Sequence, residues 1–174
     1  DKTYRVYGTG SANRAFKDTN GTGRTDSSAV SQGGFRFDWR PARDLLTVQG
    51  DAYDGSEKQL VGEDQLIAGT NLLTRWTHQL DGGSSLQVQA YYDNVRHLVN
   101  AGGGGFKIDT LDLDIQHSIR LGSHAIVWGG GARRIIYRLN TLPNVLDFTP
   151  ADGAFNLVNA FVEDSISLTD RIKL

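Results

Sequence analysis

The joints between the patterned segments of this chain come in two lengths, and the two lengths take turns. Apolar and polar residues alternate with period two in about eight stretches, the signature of half-buried β-strands. The joints at residues 41–44, 81–84, 121–123 and 169–171 are tight turns. Those at residues 10–29, 54–68, 97–105 and 140–153 are long. A water-soluble sandwich has little reason to sort its loops by side. A transmembrane β-barrel does, with short turns on the periplasmic side and long loops outside.

The strand texts are explicit. In residues 3–9, Tyr4, Val6 and Gly8 oppose Arg5 and Tyr7. In 33–40, Phe35, Phe37 and Trp39 oppose Arg36 and Asp38, and Pro41 then opens what reads as a type I turn. In 45–53, Leu46, Val48, Gly50 and Ala52 oppose Thr47, Gln49, Asp51 and Tyr53. In 71–79, Leu72 and Trp76 oppose Asn71 and Arg75, with Leu73 among the polar set. In 85–95, after the glycine turn at 81–84, Leu86, Val88, Ala90 and Tyr92 oppose Gln87, Gln89, Tyr91 and Asp93.

The second half repeats the pattern. In 110–121, Leu111, Leu113, Ile115, His117 and Ile119 oppose Asp112, Asp114, Gln116, Ser118 and Arg120. In 124–138, Ile126, Trp128, Gly130 and Ala132 oppose Val127, Gly129, Gly131 and Arg133. In 155–168, Val158, Ala160, Val162, Ile166 and Leu168 share a face broken by Asp164, with Phe161 and Glu163 opposite. Residues 172–174 read as the start of a ninth strand. About 10 residues at ~3.3 Å each, tilted ~45°, cover roughly 25 Å, the height of an outer-membrane apolar band. Ordinary globular strands centre on about 5–6 residues.

Composition narrows the alternatives. The mean hydropathy of −0.37 resembles that of a soluble protein, but only every second residue of a barrel strand faces lipid. No apolar run reaches the roughly 18 residues of a membrane helix. The net charge of −2 supplies no basic excess for nucleic acid. The absence of cysteine excludes disulfides and thiolate chemistry. The chain begins at Asp1 inside strand-like text, without a signal peptide. It reads as a single β-barrel unit over 1–174, either a processed chain or a piece of a longer one.

Alternation does not say whether the apolar face meets lipid or a protein core. In a soluble barrel that face lines the interior; in a membrane barrel it points outward. Strand length, loop sorting and aromatic placement favour lipid. Trp39 and Trp76 precede tight turns and Trp128 follows one, so all three are expected at the turn-side interface. The opposite face, with Arg36, Asp38, Gln49, Asp51, Arg75, Gln87, Gln89, Asp112, Asp114 and Gln116, is expected to line the lumen.

Chemical motifs are sparse. Asp18, Asn20 and Asp26 partly match a calcium loop, but Ala29 stands where a bidentate Glu is needed, and the stretch reads as a polar loop. Asp112 and Asp114 share a strand face without an acid/base context, and read as lumen-facing acids beside arginines. His78, His97, His117 and His124 have no metal-ligand spacing. The glycine run 102–105 lacks the strand-to-helix context of a phosphate loop and reads as a loop tip. Gly129–Gly131, within a strand, reads as a bend or close approach. No cofactor and no enzymatic activity are expected.

Read in order, Gly-Phe-Arg-Phe-Asp-Trp at 34–39, Leu-Thr-Val-Gln-Gly-Asp-Ala-Tyr at 46–53 and Asn-Leu-Leu-Thr-Arg-Trp at 71–76 resemble successive barrel strands of TonB-dependent outer-membrane receptors. So do Asp-Gly-Gly-Ser-Ser-Leu-Gln-Val-Gln-Ala-Tyr-Tyr-Asp at 81–93, Thr-Leu-Asp-Leu-Asp-Ile-Gln-His at 110–117, Ile-Val-Trp-Gly-Gly-Gly at 126–131 and Ala-Phe-Val-Glu-Asp at 160–164. The resemblance covers most of the chain outside the long joints. It implies an antiparallel up-and-down wall, part of a barrel of about 22 strands, in the outer membrane of a Gram-negative bacterium. It further implies a plug domain, a TonB complex reached through the parent chain, outer-membrane lipid, and uptake of a ferric siderophore or another scarce nutrient. This sequence carries neither plug nor TonB box, so it corresponds to a barrel segment. Small-molecule ligand contacts would fall in the long loops, with Tyr53 and Tyr92 near their bases. The alternatives are a complete eight-stranded membrane barrel with a structural or adhesion role, and a soluble ligand-binding barrel.

Overall fold

The computed structural model describes residues 1–174 except 18, 22, 60–62, 100–103, 143–144, 146 and 170–171, together with the side chain of residue 173. The described residues form one antiparallel sheet in chain order. Its strands are β1 (Lys2–Asn13), β2 (Ser28–Trp39), β3 (Asp44–Glu57), β4 (Gln65–Gln79), β5 (Ser85–Val99), β6 (Gly105–Leu121), β7 (His124–Asn140), β8 (Asp152–Thr169) and the short β9 (Ile172–Lys173). Each strand pairs with its chain neighbours, and β1 pairs with β2 alone, so the sheet is open.

Residues directly opposite one another in paired strands share a face, so the register maps each face. One row runs Tyr4–Phe37–Val48–Thr74–Ala90–Leu113–Ala132–Val158 from β1 to β8. The next row towards the tight turns runs Lys2–Trp39–Leu46–Trp76–Val88–Ile115–Gly130–Ala160. Apart from Lys2 and Thr74 these rows are apolar across the sheet, yet no described hydrophobic side chain is buried. Leu111 is 50% exposed, Leu113 45%, Val158 79% and Val162 75%. A sheet of this size with its apolar face bare needs an apolar surrounding, because each large side chain left in water forfeits about 1.5–3 kcal/mol.

The tight turns do not line up along these rows; they step. Trp39 is itself the last residue of β2, whereas in the same row Trp76 stops short of the β4 end at Gln79. Further along that row, Ile115 lies well before the β6 end at Leu121, and Ala160 further still before the β8 end at Thr169. The overhang grows by the same amount at every hairpin. That increment is about 10 Å along a strand, and one hairpin is about 9.6 Å across the sheet. The turns therefore share a level only if the strands tilt by about 45°, close to the tilt of transmembrane barrels.

The turns carry the dihedrals that tight hairpins demand. Gly122, at φ 61, occupies the first central position of the Leu121–His124 hairpin, where a type II′ turn takes glycine. Gly82 and Gly83 have φ 69 and 75. The first turn differs from its expected type. Asp44 N donates to Pro41 O at 2.8 Å, which puts Pro41 first and Ala42, at φ 47, second. A type I turn has negative φ there, so this is a primed turn, whose twist suits the strands it joins. The fourth turn falls on residues 170–171, outside the described residues.

The strands outrun their sequence signatures at the loop end. The joints expected at 10–29, 54–68, 97–105 and 140–153 shrink to 14–27, 58–64, 100–104 and 141–151. The third is then no longer than the turn at 80–84. Beyond the apolar band, backbone pairing continues through residues whose polarity no longer alternates, such as Ser28↔Glu57 and Gly105↔Asn140.

Candidate functional site

The face opposite the apolar one carries a belt of polar side chains three rows deep. Its central row runs Arg5–Arg36–Gln49–Leu73–Tyr91–Asp112–Arg133–Leu157. On the turn side lies Thr3–Asp38–Thr47–Arg75–Gln89–Asp114–Gly131–Asn159. On the loop side lies Tyr7–Gly34–Asp51–Asn71–Asp93–Thr110–Ile135–Phe155. Period-two geometry alone puts these residues together.

The belt is knitted laterally. Arg36 grips Asp38 through Nε at 2.8 Å and Nη2 at 3.0 Å, and its Nη1 donates to Gln49 at 3.2 Å. Thr47 donates to the same Asp38 at 2.6 Å. Arg75 clasps Gln89 Oε1 with Nε and Nη2 at 2.8 and 2.6 Å. Arg133 Nε donates to Asp112 at 2.7 Å. Tyr7 donates to Asp51 and accepts from Gln32, and Tyr91 donates to Asp93 at 3.1 Å. Such a lattice holds its charges in place. It presents spare acceptors and donors to a second polar surface or a passing solute.

Glycines opposite aromatics give the sheet a second regularity, one the sequence pattern did not announce. Tyr7 faces Gly34, Phe35 faces Gly50, Tyr53 faces Gly69, Phe161 faces Gly129 and Tyr137 faces Gly153. A Cβ built on each glycine would stand within 3.2 Å of the facing ring. The ring covers a backbone that glycine leaves bare, the arrangement known as aromatic rescue. Gly131 has a different use: a Cβ there would strike the Asp114 carboxylate.

The residues singled out from sequence fall as follows. Arg36, Asp38, Gln49, Asp51, Arg75, Gln89, Asp112 and Asp114 lie in the belt, and Gln87 and Gln116 oppose each other one row closer to the turns. Tyr53 and Tyr92 do not share a face. Tyr53 lies on the polar side over Gly69, whereas Tyr92 lies in the apolar-side row between Leu72 and Leu111. Trp39 ends β2, Trp76 lies near the turn end of β4, and Trp128 lies near the turn end of β7.

The histidines are spread out, each with its own neighbour. His78 meets Asp44 at 2.7 Å, and the same carboxylate accepts from Trp76 Nε1 at 2.9 Å. His124 meets Asp164 at 2.7 Å, the residue that breaks the apolar face of β8. His117 stands edge-on to Trp128 at 5.5 Å, and His97 meets Gln65 at 2.8 Å. Of the calcium-loop candidates, Asp18 lies outside the described residues, and Asp26 accepts the backbone N–H of Phe16 at 2.9 Å. Among the described residues no three metal-ligating side chains cluster. Gly102 and Gly103 of the glycine run also lie outside the described residues.

No protein-family model matches the chain, and no curated protein sequence matches it. Solved structures do. The siderophore receptor PirA from Pseudomonas aeruginosa aligns over 97% of this chain and 28% of its own, with a TM-score of 0.72 and 15% identity. The copper transporter OprC aligns over 99% of this chain and 32% of its own, with a TM-score of 0.73 and 16% identity. The chain thus spans about a third or less of the length of these two proteins. Its fold is that of a stretch of their walls: an all-β, antiparallel, up-and-down segment of an outer-membrane receptor barrel.

Proposed function

We propose that the chain is a barrel segment of a TonB-dependent outer-membrane receptor that imports a scarce, metal-bearing nutrient. The observation that carries this reading is the two-faced sheet. One face is apolar between its two rims from β1 to β8 with no described residue packed over it, and the other is a cross-linked polar belt. Such a wall fits lipid outside and a hydrated, plugged lumen inside. The tilt of about 45° implied by the stepping turns is the tilt such walls have.

In this reading the belt, with Arg36, Arg75, Asp112 and Asp114, faces a plug domain, and the loop-side joints face the ligand. The receptor PirA takes a siderophore and OprC takes copper. The ligand class proposed for this chain is the ferric siderophore. A closed eight-stranded barrel is less favoured, because β1 has no partner beyond β2 and the sheet stays open.

The test is uptake of radiolabelled iron by cells that make the intact protein, beside cells lacking it and cells lacking TonB. Siderophore-bound iron should enter only when both proteins are present. Uptake of copper instead would move the ligand class. Unchanged uptake of both metals in the deletion strain would remove the transport reading.

A further inference from the structure

The apolar-side face ends differently at its two rims. Across β3 to β8, each Lys or Arg on that face lies at the loop end: Arg96, Lys107, Arg134 and Arg138. Over the same strands the turn end of that face carries Asp44 and Asp164 and no cation, with Lys2 alone at the turn end of β1. The loop end holds Asp109 and Asp152 beside its four cations. The level of each cation follows from its distance along the strand. The turn end of β5 is Ser85 and that of β7 is His124. At about 2.3 Å of height per residue of tilted strand, Arg96 and Arg134 both stand roughly 23–25 Å above those ends. That is the upper edge of an apolar band roughly 25 Å tall. Arg138 lies further along β7 with Lys107 opposite it in register, and the two stand roughly 10 Å higher.

These cations converge. Arg96, Lys107 and Arg138 are consecutive in one cross-strand row, and Arg134 lies on the same face of β7 as Arg138. Lys107, Asp109, Arg134, Ile136, Arg138 and Asp152 line a pocket of about 360 Å³. Asp109 is already engaged, accepting from Tyr92 at 2.8 Å and from the buried Asn94 at 2.7 Å, and pairing with Lys107 at 3.2 Å. Asp152 is opposite Arg138 in register but forms no described ion pair with it. Arg96, Arg134 and Arg138 are exposed and have no hydrogen-bond or ion-pair partner among the described residues.

Three open arginines at and above the edge of an apolar band, with Lys107 shared with Asp109 between them, call for anions held at the same heights. We propose that Arg96, Lys107, Arg134 and Arg138 form a docking site for the phosphorylated head group of an outer-leaflet glycolipid, whose acyl chains lie on the exposed Leu113, Ile115 and Val162 below. Arginine forks suit phosphate oxygens, and the Lys107–Arg138 pair and Arg134 offer two separate positions along the strand. The inference rests on the membrane reading above, which sets lipid against this face.

The experiment uses the intact protein in detergent, with bisphosphorylated lipid A and its dephosphorylated form as probes in native mass spectrometry. The triple variant K107Q/R134Q/R138Q should bind bisphosphorylated lipid A roughly a hundredfold more weakly, on the order of fivefold per cation. The charge-preserving variant K107R/R134K/R138K loses the two forks but keeps the charge, so it should weaken binding by no more than about tenfold, far less than the glutamine variant, which separates charge from misfolding. Undiminished binding by the triple variant would overturn the site, as would equal binding of the dephosphorylated lipid. Displacement by millimolar inorganic phosphate would overturn the choice of a lipid. Quenching of Trp39, Trp76 and Trp128 by brominated lipid tests the membrane reading separately. If quenching holds while the triple variant binds fully, this inference alone has failed.

Discussion

Arg133 and Asp112 face each other in register across β6 and β7, joined by a 2.7 Å hydrogen bond from Nε to Oδ2. The side chain of Asp112 is 10% exposed, and Asp114 follows it on the same face of β6. Without Arg133, two neighbouring carboxylates would share a poorly solvated patch. Arg133→Ala should therefore destabilise the barrel by about 1–2 kcal/mol, between the values for exposed and buried pairs. In the D112A background the same change should cost much less. Urea unfolding of the intact protein in lipid vesicles gives both values, and additive losses would mean the pair is not coupled.

The lipid-facing surface makes a depth-dependent prediction. The turn end of β6 is Leu121 and that of β4 is Gln79. Tilted strands then put Ile115 roughly 14 Å above the turns, near the middle of the apolar band, and Leu66 roughly 30 Å above them, beyond it. Ile115→Arg should cost about 2–4 kcal/mol, and Leu66→Arg at most about 1 kcal/mol. Equal costs in vesicles would place the two residues at one depth and contradict the tilt.

Ala42 holds φ 47 in the first hairpin turn. An L-residue in the left-handed region is strained by roughly 1–2 kcal/mol, and part of that relief is offset by the chain entropy of glycine. Ala42→Gly should stabilise by about 0.5–1 kcal/mol in the same unfolding assay. Gly122→Ala should move stability the other way by about 1 kcal/mol.

Tyr53 covers Gly69, and a Cβ at 69 would stand 2.5 Å from the ring. Gly69→Val should cost about 1–3 kcal/mol through overcrowding. Adding Y53A should recover most of that loss, since the collision needs both partners. A double variant no better than the valine variant would show that the backbone at 69, rather than the ring, sets the limit.

Much of this architecture is legible in the sequence because a strand's two faces obey one rule. Phe35, Phe37 and Trp39 against Arg36 and Asp38 suffice to place β2 and both of its faces. The loop ends were less legible. Ser28–Ser31 and Gly55–Glu57 join the sheet through backbone bonds, which any residue supplies and no polarity pattern marks. The turn opened by Pro41 is primed and not type I because its type is set by the second position, where Ala42 takes a positive φ that the residue's identity does not announce. The glycine–aromatic pairs and the basic rim are invisible in the sequence for a different reason. Each joins residues on different strands, so neither exists until the register is known. Tyr92 shows the same limit, since proximity to a loop does not decide which way a ring faces.

The constant step from hairpin to hairpin has a consequence for how such walls change over generations. Because every hairpin advances the turns by the same increment, each is an interchangeable stave. One stave inserted or lost would leave its neighbours at their old depth, with their tryptophans and cations at unchanged levels. The circumference can drift while the profile across the membrane stays fixed, and lumens of different widths can share one wall design.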